Sequence, residues 1–369
     1  MEYRQCARCL MDTTAKGIEF DEQGICNYCR DFELQLKNPK KRIDLHLDDL
    51  VKKIKQDGQN KPYDCIVGVS GGVDSSYTLV KVKELGLRPL AVHMDNGWDS
   101  ELAANNIKNL VEGLGVDLYT HVIDWDEYRE LMQAFFDADV IDVELLYDNA
   151  MLAVDYEQAG KYGIKYILAG TNTTTEGMKM PENWNWFKYD KKNIYQLAKT
   201  RNVKITTFPA FGTADFLKFE YGKRIRWISF LDYLENYNKF EALKILQEKY
   251  GYKPYPYKHY ESIFTRFYQG YILPEKFNVD KRKVHLSTLI ISGQLSKEEA
   301  LKQIQGKYAY PSEKELKEDI DYFLKKMRWT KDDLDAYVRR PEKPHDVYGS
   351  EKGLFVTLLK IYRLLKGIK

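Results

Sequence analysis

Nowhere does the chain hold an apolar run of about 18 residues or more, the length a membrane-spanning helix needs. The N-terminus, Met1-Glu2-Tyr3-Arg4-Gln5-Cys6, lacks the apolar stretch of a signal peptide. A cytoplasmic protein with no membrane span is therefore expected. A charge bias is missing as well. Lysine and arginine total 57 against 55 acidic residues, a formal net charge of +2 with a pI near 8.0. A dedicated nucleic-acid binder usually carries a stronger basic excess, and no nucleic-acid partner is expected. No internal repeat and no low-complexity tract is present. Cysteine is scarce, with five in 369 residues and none after Cys65. Four of the five crowd into the first thirty residues, and in a cytosolic chain such crowding argues for metal rather than disulfides.

What is present suits a sizeable core. Hydrophobic residues make up 44% and charged residues 30%, over a length that allows two domains, or three if one is small. The cysteines read Cys6-x2-Cys9, sixteen residues, Cys26-x2-Cys29, within the spacing of a four-thiolate zinc site. Such a closed site is structural, and a unit as short as 1–36 depends on its metal to fold. An iron–sulfur cluster or four unrelated thiols are the alternatives to Zn²⁺. Residues 37–42 read as a basic linker with a proline break.

From 45 to 210 short apolar runs alternate with helical periodicity. Strands are expected at 65–69, 89–94, 116–123 and 165–170, with helices from Ser75, at 100–115, at 126–138 and at 149–162. The alternation predicts a doubly wound parallel α/β sheet. From about Phe211 to 369 it gives way to helical segments such as 237–249, 296–305, 313–327 and 353–366. The last of these is basic and amphipathic. It suits either a membrane surface or, more commonly, packing on neighbouring helices.

The first strand runs into Ser70-Gly71-Gly72-Val73-Asp74-Ser75-Ser76 and then a helix. Glycines let a backbone turn closely around an anion, and the free amides of a helix start favour phosphate. Ser70, Ser75 and Ser76 add hydroxyls. Asp74 would repel bare phosphate, so it reads as a ligand for Mg²⁺ bridging phosphates. The Gly-Lys-Ser/Thr ending of a Walker loop is missing. The loop resembles instead that of the PP-loop ATP pyrophosphatases, which implies ATP split between its α and β phosphates and AMP placed on an oxygen. Two further strand ends should meet the loop, since ligands bind beyond the carboxyl ends of such strands. At His93-Met94-Asp95-Asn96-Gly97 the resemblance implies adenine and ribose, with His93 equally readable as a satisfied core histidine. At Gly170-Thr171-Asn172-Thr173-Thr174-Thr175-Glu176 it implies a second Mg²⁺ ligand in Glu176, and Lys179 suits phosphate charge. A plain polar loop is the alternative there.

Three C-terminal stretches are rich in charge: Lys258-His259-Tyr260-Glu261-Ser262, Thr265-Arg266-Phe267-Tyr268-Gln269, and Asp280-Lys281-Arg282-Lys283-Val284-His285. Such groups either converge on phosphates or form solvated faces and salt bridges. Together with the cysteine pairs, the loop, Asp95-Asn96-Gly97-Trp98, Tyr166-Ile167-Leu168-Ala169-Gly170 and Thr175-Glu176-Gly177, they resemble the N-acetyl sugar amidotransferase family (WbpG-like) of bacterial surface-polysaccharide biosynthesis. One departure is Asp148-Asn149, where an Asp-His pair is expected.

The resemblance implies an ATP-dependent change of an acetamido group, on a nucleotide-linked N-acetyl sugar, into an acetamidino group. It implies catalytic roles for Asp74, Glu176, Lys179, Lys281 and Arg282. Substrate contacts fall to Lys258, His259, Glu261, Arg266 and His285, and nucleotide contacts to the loop, His93, Met94, Gly170 and Thr171. No cysteine here suits a glutaminase, so a separate glutaminase and a cyclase-like barrel subunit are the implied source of ammonia. A tRNA-modifying enzyme with the same loop, thiolase-like, is the rival reading. A non-catalytic zinc-ribbon protein that only binds nucleotide is another.

Overall fold

The computed structural model describes residues 2–37 and 43–365. Most of the expected linker, 38–42, and the final residues of the basic tail, 366–369, lie outside the described residues. Helices α1 (Asn27–Lys37) and α2 (Leu47–Asp57) precede the sheet. There follow β1 (Cys65–Gly68), α3 (Val73–Glu84), β2 (Pro89–Asp95), α4 (Glu101–Leu114), β3 (Asp117–Val122), α5 (Trp125–Asp137), α6 (Leu145–Tyr162) and β4 (Tyr166–Ala169). The α/β alternation and its boundaries follow the hydrophobic pattern closely. Turn chemistry marks the ends: Ser100 caps α4 by accepting from the Ala103 amide, and Gly115 closes it in the left-handed region at φ 57°.

The sheet takes one strand more than the alternation predicts. β5 (Arg226–Ser229) lies beyond the point where the helical region was expected to begin, and it pairs in parallel with β4. The order is β3-β2-β1-β4-β5, all parallel. The chain winds outward from β1 to β3 and returns to β4 beside β1. The crevice between the carboxyl ends of β1 and β4 is therefore the topological switch point.

Both faces of the sheet are covered, as period-2 side chains demand. Cys65, Val67 and Val69 pack with α2, α3 and α4, while Ile66, Val92 and Met94 pack with α5 and α6. The C-terminal region is largely helical, as expected. Its 313–327 and 331–339 helices meet α5 through aromatic contacts of Phe136 with Phe323, Trp329 and Tyr337. The 239–250 helix returns to lie against α3. The inner side of the 352–365 helix packs Phe355 on Tyr189 and Phe216, and its outer side leaves Leu354, Ile361 and Leu364 exposed. Among the described residues no helix is long and apolar enough to cross a membrane.

The cysteine unit docks on the C-terminal region. Leu10 is buried with Leu286 and Ala300, and its amide donates to Ser287 Oγ at 3.0 Å. Lys283 pairs with buried Asp12, and Lys297 Nζ donates to the carbonyls of Cys6 and Ala7. α1 and the ribbon thus brace the 282–291 helix.

Candidate active site

The loop after β1 is shaped by two close approaches. Gly71 stands at φ +80°, and a Cβ there would meet the Ala103 backbone at 3.3 Å. Gly170, just past β4, lies so near the loop that a Cβ would stand 2.6 Å from the Ser75 nitrogen. Ser75 Oγ donates to Gly72 O at 3.2 Å, while the hydroxyls of Tyr252 and Tyr255 hold Gly71 O at 2.9 and 3.2 Å. Gly72 is the N-cap of α3, so the loop's amides and the helix start face the same crevice.

Asp74 is clamped from two sides. The Tyr237 hydroxyl donates to Oδ1, and Thr175 Oγ1 donates to Oδ2 at 3.3 Å. Burial, with the neighbouring Asp74 charge, pushes the Tyr237 phenol up and keeps it a donor. Glu176 lies across the crevice, 2.6 Å from Lys258 Nζ. Burial works against its charge, yet the Lys258 ammonium holds the carboxyl below its ordinary value, and Glu176 in turn raises Lys258. Glu261 projects over the loop: a Cβ on Gly72 would be 3.2 Å from Oε1. Burial raises the Glu261 carboxyl, but the bond and charge of His259 bring it down on balance.

These groups open on one cavity of about 430 Å³. It is lined by Ser70, Gly72, Asp74 and Ser75, by Met94, by Gly170, Thr171 and Glu176, and by Lys258, His259, Glu261, Arg266, Lys281, Arg282 and His285. Segments more than a hundred residues apart are thus brought together. Gly71 and Ser76 do not line it; Ser76 is buried, with its hydroxyl unpartnered among the described residues.

Two further expected residues, His93 and Lys179, do not line the cavity either. His93 is buried and bridged, with Nδ1 2.8 Å from Val69 O and Nε2 2.8 Å from Asp99 Oδ2. It ties β2 to β1 and to the following loop. Burial lowers its basicity, but Asp99 raises it on balance. Lys179 is exposed and lies 3.4 Å from Glu182, outside the cavity. The four-residue helix α7 (Thr173–Glu176) and the turn after it carry Lys179 toward the ribbon side.

Arg266, Lys281 and Arg282 do line the cavity, but with their charges engaged. Arg266 forks onto Asp319 with two bonds of 2.6 Å, and Lys281 reaches Glu144 at 2.7 Å. Arg282 binds Asp280 and the carbonyls of Gly306 and Tyr308. Their ordered guanidinium and ammonium groups build the wall. Asp148 lines the cavity and pairs with Lys188 at 2.8 Å, whereas Asn149 holds the Lys188 and Phe211 carbonyls, a structural part.

Sequence reasoning missed several contributors. Tyr237 and Thr175 orient Asp74. Lys239, at the start of the 239–250 helix, lines the cavity with no carboxylate partner among the described residues. His285, by contrast, was among the expected substrate contacts and lines the cavity; burial and then Lys258, His259, Lys281 and Lys239 hold it well below its ordinary value, so it is a neutral imidazole. Its Nε2 is buried without a partner among the described residues. Asp155 of α6 also lines the cavity. Its signal was a second acid on the face Tyr147, Asp148, Met151, Val154, Asp155, which the helical period turns inward.

The cysteine unit forms a compact donor set. The sulfurs of Cys6, Cys9, Cys26 and Cys29 all lie within 4.8 Å of one another, with Cys6–Cys29 and Cys9–Cys26 at 3.8 Å. A tetrahedron with Zn–S bonds of about 2.3 Å has sulfurs about 3.8 Å apart, so the set fits Zn²⁺. The amides of Arg8, Met11 and Cys26 point at Cys6 or Cys9 sulfur, as thiolates require.

Comparison with known proteins adds to this geometry. Residues 44–206 match the family model of NAD synthase, and residues 261–364 match that of the LPS biosynthesis protein WbpG-like, C-terminal domain. The chain is a WbpG-like member of the PP-loop superfamily. For a WbpG-like PP-loop protein, an ATP-dependent reaction of the ligase or synthetase type follows from the NAD-synthase match. Similar solved structures include the NMN synthetase of Francisella tularensis, 16% identical, over 61% of this chain and 92% of the other, TM-score 0.29. The NH3-dependent NAD synthetase of Campylobacter jejuni, in complex with nitrate, is 14% identical over 56% and 96%, TM-score 0.29. A predicted subunit of tRNA methyltransferase from Methanocaldococcus jannaschii is 16% identical over 50% and 76%, TM-score 0.28. No curated protein matches the WbpG-like chain.

Proposed function

We propose that this chain is an AMP-forming amidotransferase that turns the acetamido group of a nucleotide-linked N-acetyl sugar into an acetamidino group. The observation that supports the reading is the shared cavity: one wall is the phosphate loop with Asp74 and Glu176, the other the C-terminal wall that carries Lys239, Lys258, His259 and Lys281. An ATP and a second anionic substrate need such a pairing of walls.

In this reading the acetamido oxygen attacks the α-phosphorus, the bond to the β-phosphate breaks and pyrophosphate leaves, while the amide nitrogen gives up its proton. The loop amides and the α3 N-terminus stabilise the charge that develops on the phosphates. Asp74 and Glu176 offer the hard oxygen donors that suit Mg²⁺, which when bound neutralises phosphate charge. Ammonia then adds to the activated carbon, the new nitrogen loses a proton, and AMP departs. The nucleophile is NH3, because ammonium has no lone pair with which to attack. A separate glutaminase, with a cyclase-like barrel subunit, supplies it. The enzyme acts in surface-polysaccharide synthesis in the bacterial cytoplasm.

The test combines purified protein, ATP, Mg²⁺ and ammonium chloride with a panel of nucleotide-linked N-acetyl sugars, reading nucleotides and sugar mass together. The expected result is AMP that depends on one sugar, with that sugar's oxygen replaced by NH. AMP formed only with tRNA would overturn the reading in favour of a tRNA-modifying enzyme. ATP that binds but stays intact throughout would overturn it in favour of a binding protein.

A further inference from the structure

Deep in the cavity, beneath the end of β1, lies a carboxyl with no partner. Asp155 is 1% exposed, and neither Oδ1 nor Oδ2 has a hydrogen-bond partner among the described residues. A buried carboxyl left bare is costly, and native structures seldom keep one without a use. The backbone makes room for it: Gly68 is the last residue of β1, and a Cβ there would stand 2.9 Å from Asp155 Oδ2. The cavity that Asp155 lines takes apolar side chains from β2, Val92 and Met94, and from α6, Met151 and Val154.

A purine has apolar faces and one polar edge, and it suits a slot with aliphatic and thioether walls and a single polar group at its end. This slot adjoins the phosphate loop through Gly68, Val69 and Ser70, which line the same cavity. We propose that the Asp155 carboxyl is the base-reading group of the nucleotide site and meets the adenine edge that carries the exocyclic amino group. The inference rests on the ATP reading of the cavity.

The chemistry is complementary. Adenine presents one donor, the N6 amino group, beside one acceptor, N1. A neutral carboxyl presents one acceptor and one donor. Burial pushes Asp155 up to about 8, so at pH 7 it carries its proton. One oxygen then accepts from N6–H while the other donates to N1. An asparagine has the same acceptor and donor side by side, so Asp155→Asn keeps the pair and Asp155→Val removes it.

The experiment measures equilibrium binding of ATP and of purine riboside triphosphate, which lacks the N6 amino group, to wild type, Asp155→Asn and Asp155→Val. Wild type and Asp155→Asn should both prefer ATP by about tenfold, as one well-made hydrogen bond implies. Asp155→Val should bind both nucleotides equally. If Asp155→Val keeps the full preference for ATP, or if wild type shows none, the proposal fails while the ATP reading stands. If wild type binds neither nucleotide, the ATP reading itself fails, and the proposal with it. Circular dichroism and thermal unfolding of each variant establish that it is folded, and Asp155→Ala, which likewise removes the pair, carries the test if the valine variant is not.

Discussion

The two walls of the cavity are held in different ways. The sheet wall is set by backbone: the ends of β1 and β4, a left-handed glycine, and a contact at Gly170 too close for any side chain. The C-terminal wall is set by charge. Arg266 is spent on Asp319, Arg282 on Asp280 and Lys281 on Glu144, and Lys258 reaches across to Glu176, which leaves Lys239 lining the cavity with no carboxylate partner among the described residues. A motif in sequence therefore maps directly to a site on the first wall. On the second, a cluster of charged residues mixes wall-builders with ligand-facing groups, and only their partners tell them apart.

Substitutions on each wall sharpen that contrast. The largest effect is expected at Asp74, which Tyr237 and Thr175 aim into the crevice. Asp74→Asn should lower AMP formation by about a thousandfold with little change in melting temperature, since a group acting on transferring phosphates is worth about 3–4 kcal/mol. Equal rates in the two proteins would break the assignment.

Asp155 gives a stability effect of similar scale that depends on pH. Its carboxyl titrates near 4 in an unfolded chain and at about 8 in the fold, because burial penalises the charged form. Unfolding thus releases a proton between those values, and wild-type stability falls as pH rises across the window. Asp155→Asn should match wild type near pH 4 and gain on it steadily toward pH 8, by several kcal/mol in urea unfolding. A gap independent of pH would show that the carboxyl titrates normally.

Arg266→Ala should behave as a wall-builder. It strands the buried Asp319 carboxylate, still held by Tyr310 at 2.8 Å, and should cost about 3 kcal/mol of stability. Retained stability with lost substrate affinity would move Arg266 to the ligand-facing group. Lys239→Ala should do the reverse, with near-normal unfolding and about a tenfold rise in KM, the worth of one charge-assisted contact. Smallest of all is Lys179→Ala, exposed beside Glu182, which should change stability by less than about 0.5 kcal/mol and leave turnover intact.

The parallel sheet was legible because β1, β2 and β4 are apolar runs bounded by turn residues, and Ser70-Gly71-Gly72-Val73-Asp74-Ser75 sits where such a loop must sit. β5 was not. Its four residues, Arg-Trp-Ile-Ser, bury only Ile228 well, and half-buried edge strands carry little periodicity. His93 read as either ligand or core, and the answer came from Val69 O and Asp99, groups brought to it by folding. The four cysteines needed no such help, because their spacing alone fits one tetrahedral ion.

By itself, then, the sequence determined the elements whose causes are local: the strand-loop-helix with its glycines, the cysteine pairs, and the alternation that makes a parallel sheet. Tertiary structure alone decided which charges are spent and which are free. It neutralised Arg266 with Asp319 and left Lys239 facing the cavity. It also buried Asp155 without a partner beneath Gly68. The physical reason is that a side chain's charge, partner and protonation depend on burial and on neighbours distant along the chain, which no local pattern records.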